Sequence, residues 1–222
     1  MSSQPPNLIL FGPQGSGKGT QAKLLVDKYH YHSIGTGDLM RSYATHKDAL
    51  GRKIRSLINH GELVPDKIIE SIFSHEVTKI PADQPIVFDG YPRNLNQAHF
   101  LDTLLVKLER PLPVALYLNL PRAVVFERLA SRYVCSECGT IVRSLPSLLR
   151  QLVCPKCGTS VAMRKDDKPE VIETRLNLFY SQTFLLVDHY KKLNRLTEIN
   201  GEATIEQVQT VIATALHLPP SI

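Results

Sequence analysis

The apolar run at residues 7–11, Asn-Leu-Ile-Leu-Phe, is too short for a helix and stops at a glycine, which is the pattern of a parallel strand buried on both faces. From Lys18 onward the period changes: Ala22, Leu24, Leu25, Val26 and Tyr29 recur at helical spacing. Further strand-like runs stand at 85–88 and 114–120, with 196–199 a weaker candidate. Helical patterns lie at 94–108, 122–132, 169–193 and 204–216, the third opening on Pro169 where a first helical turn tolerates proline. Strand alternating with helix predicts an α/β fold, a parallel sheet with helices on both faces. Two segments break the rhythm. Residues 35–64 read as wholly helical and polar, and 133–168 hold every cysteine in a turn-rich, strand-like composition. Both read as insertions, so the expected division is a core of residues 1–34, 65–130 and 168–222, a helical insert at 35–64 and a cysteine-bearing insert at 131–167.

Composition narrows the class. The 222 residues can bury one main core with small inserted pieces, and 43% hydrophobic with 21% charged residues is ordinary for a water-soluble chain. No stretch approaches the roughly 20 uninterrupted apolar residues of a membrane span, and the short polar start shows no signal-peptide pattern, so the cytosol is the expected location. No internal repeat or low-complexity tract is present, and the terminal Leu-Pro-Pro-Ser-Ile reads as a short tail. The formal charge of +5 is scattered rather than gathered in a patch, and several lysines and arginines fall in phosphate-loop-like segments. Small polyanionic ligands explain the excess better than nucleic acid. If the four cysteines hold a divalent metal as thiolates, the +5 is itself an overcount.

Gly12-Pro-Gln-Gly-Ser-Gly-Lys18 sits between the first strand and the first helix, where backbone N–H groups turn inward onto phosphate oxygens and glycines avoid a blocking Cβ. Lys18 adds a point charge, and the helix behind it adds its positive end. A tight strand-to-helix turn with no ligand is the alternative, weakened by the match of both flanking elements. Asp89 closes an apolar strand, where a carboxylate at the carboxyl edge of a parallel sheet can organise hydrated Mg²⁺; capping the next turn is its bland alternative. Gly19 separates Lys18 from Thr20, where the generic loop has serine or threonine directly after lysine.

That departure narrows the family. Lys18-Gly-Thr-Gln21 resembles the nucleoside monophosphate kinases, and the likeness extends through Gly35-Thr-Gly-Asp-Leu-Met-Arg41, Gly61-Glu-Leu-Val64, Asp89-Gly-Tyr-Pro-Arg93 with Gln97, and Arg164-Lys-Asp-Asp167, covering nearly the whole chain. The resemblance implies reversible Mg²⁺-dependent transfer between ATP and AMP to give two ADP, of adenylate kinase type, by a monomer. It implies an ATP side of Gly15, Ser16, Gly17, Lys18, Gly19, Thr20, Arg128, Arg132 and Ala203. It implies an AMP side of Thr36, Arg41, Glu62, Leu63, Val64, Gly90, Tyr91, Pro92, Arg93, Gln97, Arg164 and Arg175. Phosphoryl transfer needs in-line positioning and positive charge more than covalent help, so Lys18, Asp89, Arg93, Arg128, Arg164 and Arg175 are the expected catalytic set. In relatives that accept UMP or CMP, alanine and asparagine usually stand where this chain has Thr36 and Gln97, so that pair points to adenine. Gly35, where adenylate kinases usually have serine, and Asn94, common in the pyrimidine branch, keep another monophosphate as the alternative acceptor.

Cys135-Ser-Glu-Cys138 and Cys154-Pro-Lys-Cys157 are CxxC pairs, each followed by glycine. Such pairs form knuckles that close a four-thiolate structural zinc site with no open position. Disulfides, or iron at the same sulfurs, are the alternatives. Paired knuckles also raise a non-catalytic, nucleotide-sensing protein that binds RNA or a partner, but the insert lacks interleaved aromatics. Its middle is the segment least like the family, with Ile141-Val142 where relatives tend to carry Tyr-His. The resemblance makes it a lid over the triphosphate, carrying Arg132 and Arg164 and excluding water.

Overall fold

The computed structural model describes residues 5–143, 153–163 and 167–218. Strand β1 (Leu8–Phe11) is the middle of a parallel sheet. It pairs on one side with β3 (Ile86–Asp89) and on the other with β4 (Val114–Asn119), while β2 (His32–Gly35) and β8 (Leu196–Asn200) form the edges, in the order β2-β3-β1-β4-β8. Alternation along β1 explains its wholly apolar sequence. Leu8 and Leu10 join Val87, Leu116 and Leu118 on one face, against Ala22, Leu25, Val208 and Ile212 of α1 (Lys18–Tyr29) and α9 (Ile205–Ala215). Ile9 and Phe11 join Ile86 and Phe88 on the other face. That second core includes Ile69, Phe73 and Val77 of α4 (Asp66–Thr78), Leu101 and Leu105 of α5 (Leu95–Lys107), and Leu186 and Tyr190 of α8 (Leu185–Lys192).

The predicted α/β sandwich is present, including the weak strand at 196–199. Several details differ. The segment 35–64 is two helices, α2 (Thr36–Ala44) and α3 (Ala49–Asn59), and it is amphipathic rather than polar, burying Met40, Ile54 and Val64 in the main core. The helix expected over 122–132 stops as α6 (Arg122–Ala130), and Arg132 opens strand β5 (Arg132–Cys135). The long helix expected over 169–193 is α7 (Pro169–Leu178) and α8 joined by a π-helical turn, Phe179–Thr183. Strand β2 and helix α4 were not anticipated.

Residues of the cysteine-bearing insert form a separate antiparallel sheet, with β5 between β6 (Ile141–Arg143) and β7 (Val161–Met163). Among the described residues no helix is long and apolar enough to cross a membrane.

The two-faced core predicts a sharp contrast within α5. Leu101 is fully buried and Val106 is 62% exposed. Leu101→Ala should cost about 2–5 kcal/mol in urea unfolding, whereas Val106→Ala should change stability by no more than about 0.5 kcal/mol.

Candidate active site

The carboxyl ends of β1, β3 and β4 meet where the loop after β1 turns into α1. Gly12 has φ 150°, and a Cβ there would lie 2.4 Å from the Leu118 carbonyl of β4, so only glycine lets the loop press against the sheet edge. Lys18 folds back over this loop, its Nζ donating to the carbonyls of Gly12 (2.8 Å) and Pro13 (2.9 Å). The Arg128 Nη1 donates to the carbonyls of Gly15 (3.3 Å) and Gly201 (2.9 Å), which ties the loop to the turn after β8. Ala203 packs within that turn, its N–H donating to the Asn200 carbonyl. Gln14 Nε2 donates to the Ile172 carbonyl, so the loop is also anchored to α7.

Asp89 ends β3 beside the first turn of α1. The position of a Cβ on residue 19 is 3.3 Å from Asp89 Oδ2, which gives the intervening Gly19 a physical reason: a side chain there would push on the carboxylate. Burial pushes the Asp89 carboxyl up from its ordinary range, opposed mainly by Lys18. Burial likewise pushes the Lys18 ammonium down to about 8, with Asp89 opposing and Arg93, Arg175 and Arg132 reinforcing the fall. Arg93 is lowered to about 10, by burial first and by Arg175 next. The site thus gathers cations that repel one another around one carboxylate, an arrangement stabilised by an incoming polyanion.

A cleft opens from this point between the sheet edge, α2, the 61–64 turn and α7. It is lined by Lys18, Thr36, Arg41, Glu62, Leu63, Val64, Gly90, Pro92, Arg93 and Arg175 among the residues that the sequence pointed to. Thr36 donates through Oγ1 to the Asp89 carbonyl (3.2 Å), and Arg41 pairs with Asp38 at 2.5 Å. Arg93 Nε donates to the Gly90 carbonyl at 2.9 Å. Tyr91 and Gln97 are not part of the lining. The Tyr91 ring is buried against Phe73 at a centroid distance of 4.0 Å, and the peptide bond from Tyr91 to Pro92 is cis. Gln97 is buried beside Arg93, its Oε1 accepting from the Arg93 N–H at 2.8 Å.

The loop residues Gly15, Ser16, Gly17, Gly19 and Thr20 lie outside the cleft lining, around the first turn of α1. Arg132 is held in a bidentate pair by the buried Asp167, at 2.8 and 2.5 Å. Arg164, and the central part of the insert at 144–152, lie outside the described residues.

Sequence reasoning missed part of the cleft. Phe11, Met40, Ile69 and Phe179 supply apolar wall, and Thr183 lines it while donating to the Arg93 carbonyl at 2.8 Å. Phe11 was legible as the last residue before the loop, and Asp167 as the end of Arg164-Lys-Asp-Asp167. Thr183 carried no signal, because the π-helical turn that aims it inward follows from no local pattern.

The four cysteine sulfurs lie within 4.8 Å of one another. Cys135 and Cys157 Sγ are 3.4 Å apart, Cys138 and Cys154 3.5 Å, and Cys138 and Cys157 3.6 Å, with all four cysteines free. A tetrahedral ion with metal–sulfur bonds of about 2.3 Å has sulfur–sulfur edges of about 3.8 Å, so the cluster fits a divalent metal and not a pair of disulfides. The two knuckles match bond for bond. Gly139 N–H donates to the Cys135 carbonyl and Gly158 N–H to the Cys154 carbonyl, while Thr140 and Thr159 set hydroxyls beside Cys138 and Cys157 Sγ at 3.1 and 3.5 Å.

A family model described as Adenylate kinase matches residues 10–195. The chain is similar to the adenylate kinase of Fervidobacterium nodosum, 35% identical over 212 residues, which cover 95% of this chain and 97% of the relative. It is also similar to the adenylate kinases of Methanosarcina barkeri, 36% identical with 95% and 98% covered, and of Borrelia turicatae, 37% identical with 91% and 94% covered. Matches of that extent carry the loop, the cleft and the cysteine insert together, and the chain belongs to the adenylate kinase family.

Proposed function

We propose that this chain catalyses reversible transfer of the terminal phosphoryl group of ATP to AMP, giving two ADP, with residues 35–64 as the monophosphate-binding insert and 131–167 as a lid. The observation that carries the reading is the shared cation cluster: Lys18, Arg93 and Arg175 line the cleft that Thr36 and Arg41 also line, while Lys18 belongs to the phosphate loop as well. Two anionic nucleotides approaching from opposite sides meet at the same charges.

In this reading the loop N–H groups from Gly15 to Thr20 and Lys18 hold the triphosphate, with Arg128, Arg132 and Ala203 on the same side. Arg41, Arg93, Arg164 and Arg175 hold the acceptor phosphate, and the backbone of 62–64 and 90–92, with Thr36 and Gln97, bounds the base. Mg²⁺ bound with ATP supplies charge neutralisation between phosphates, and Asp89 is the residue suited to hold its water shell. The arginines stabilise the equatorial oxygens, and the closed cleft keeps water from the phosphoryl group. Zinc at Cys135, Cys138, Cys154 and Cys157 stiffens the lid without taking part in chemistry. The protein acts as a cytoplasmic monomer on small nucleotides.

Purified protein with ATP and Mg²⁺ should phosphorylate AMP in preference to GMP, UMP and CMP. Preference for UMP or CMP would contradict the acceptor assignment, and inactivity on all four would contradict the kinase reading.

Because Lys18 titrates near 8 in the free protein and a polyanion binds its ammonium form, kcat/KM for nucleotide should decline as pH rises through about 8. Bound phosphate favours the charged form, so kcat should hold to higher pH, and Lys18→Arg should carry the kcat/KM decline upward. A kcat/KM profile that stays flat through that range contradicts the fall of the Lys18 ammonium to about 8.

Elemental analysis of protein purified under reducing conditions should find about one zinc per chain, and Cys154→Ala should lower both metal content and melting temperature. Protein free of metal would refute the zinc assignment.

A further inference from the structure

The side chain of Gln97 is held at both ends. Its Oε1 accepts from the Arg93 N–H at 2.8 Å, and its Nε2 donates to Asp66 Oδ1 at 2.7 Å. Asp66 opens α4, immediately after the 61–65 turn that borders the cleft, and it also receives Asn94 Nδ2 at 3.2 and 3.3 Å on its two oxygens. Asn94 in turn caps α5, its Oδ1 accepting from the Gln97 N–H at 2.9 Å. A carboxylate only accepts and a peptide N–H only donates, so the Gln97 amide has one permitted sense. Turned over, it would set oxygen against the Asp66 carboxylate and NH₂ against the Arg93 N–H, losing both bonds at once.

We infer that Asp66 is a positioning residue that makes the acceptor site select a 6-amino purine over a 6-oxo purine by fixing the sense of the Gln97 amide. The inference rests on the reading of Gln97 as a base-recognition residue, and it requires that the Gln97 amide, buried beside Arg93 and outside the cleft lining, be uncovered when the base binds. Adenine offers a donor at N6 beside an acceptor at N1, whereas hypoxanthine offers an acceptor at O6 beside a donor at N1. An amide of fixed sense matches the first order and opposes the second, and an amide free to turn accommodates either. Without Asp66, the Arg93 N–H is the one bond among the described residues that still resists the turn. Asp66 itself need not touch the nucleotide.

The test is steady-state kcat/KM with ATP and Mg²⁺ for AMP and for IMP as acceptors, in the unmodified protein, Asp66→Ala, Asp66→Asn and Gln97→Leu. The ratio of AMP to IMP should fall by about tenfold in Asp66→Ala, with the IMP value rising in absolute terms, which a merely loosened fold would not produce. Asp66→Asn, whose amide both donates and accepts and so tolerates either sense of Gln97, should lower the ratio in the same direction by a smaller factor. If AMP and IMP fall together in Asp66→Ala while Gln97→Leu collapses the ratio, the lock is overturned and the reading of Gln97 stands. If Gln97→Leu leaves the ratio unchanged, the reading of Gln97 fails and the lock with it. Should Asp66→Ala fail to fold, an unchanged ratio in Asp66→Asn overturns the lock.

Discussion

One buried carboxylate facing a surplus of cations is the constraint around which the site is built. Asp89 feels Lys18, Arg93 and Arg41, and Lys18 in turn feels Arg93, Arg175 and Arg132. Burial lowers both Lys18 and Arg93, and repulsion from the neighbouring arginines adds to the fall. Such an arrangement is costly without a ligand and becomes favourable when phosphate supplies the missing negative charge. The rest of the fold holds the cations in place against that repulsion: the sheet edge carries Asp89, the loop carbonyls of Gly12 and Pro13 take the Lys18 protons, and Asp167 grips Arg132.

Arg93 shows how firmly the charges are seated. Its N–H is taken by Gln97, its carbonyl by Thr183, and its guanidinium by the Gly90 carbonyl. The three anchors come from α5, the π-helical turn between α7 and α8, and the end of β3. A backbone pinned on both sides, with the guanidinium tied once to Gly90, delivers charge to one point with little reorganisation, which is where electrostatic stabilisation of a transition state gains its strength. The same economy runs through the two knuckles, where paired glycine N–H groups close each turn onto a cysteine carbonyl and paired threonine hydroxyls stand beside the sulfurs.

Much of this was legible in the chain, because the strongest signals are local. The all-apolar β1 can only be a strand covered on both faces, the glycine loop has a backbone that other residues would block, and the CxxC spacing fixes four sulfurs. Features that depend on partners distant in sequence were not legible. Strand β2, His-Ser-Ile-Gly, is short, and two of its four residues are exposed, so no apolar run marks it. The insert at 35–64 looked polar because its buried residues, Met40, Ile54 and Val64, are spaced widely enough to disappear among charges. The π-helical turn leaves hydrophobic periodicity on either side intact. The hold of Asp66 on Gln97 joins two helix starts 31 residues apart and has no signature within either.

The contact between Gly19 and Asp89 carries a further meaning. Successive residues on a helix are turned by about 100° around its axis, so moving the threonine from position 19 to position 20 swings its hydroxyl away from the place that the generic phosphate loop gives it. The space beside the loop goes instead to a carboxylate from another strand, 3.3 Å from where the first side-chain atom of residue 19 would stand. Positions 19 and 89 are therefore not independent under substitution. A larger residue at 19 is tolerable only if the Asp89 carboxylate gives way by a few tenths of an ångström, and a carboxylate that holds a metal's water shell has little freedom to do so.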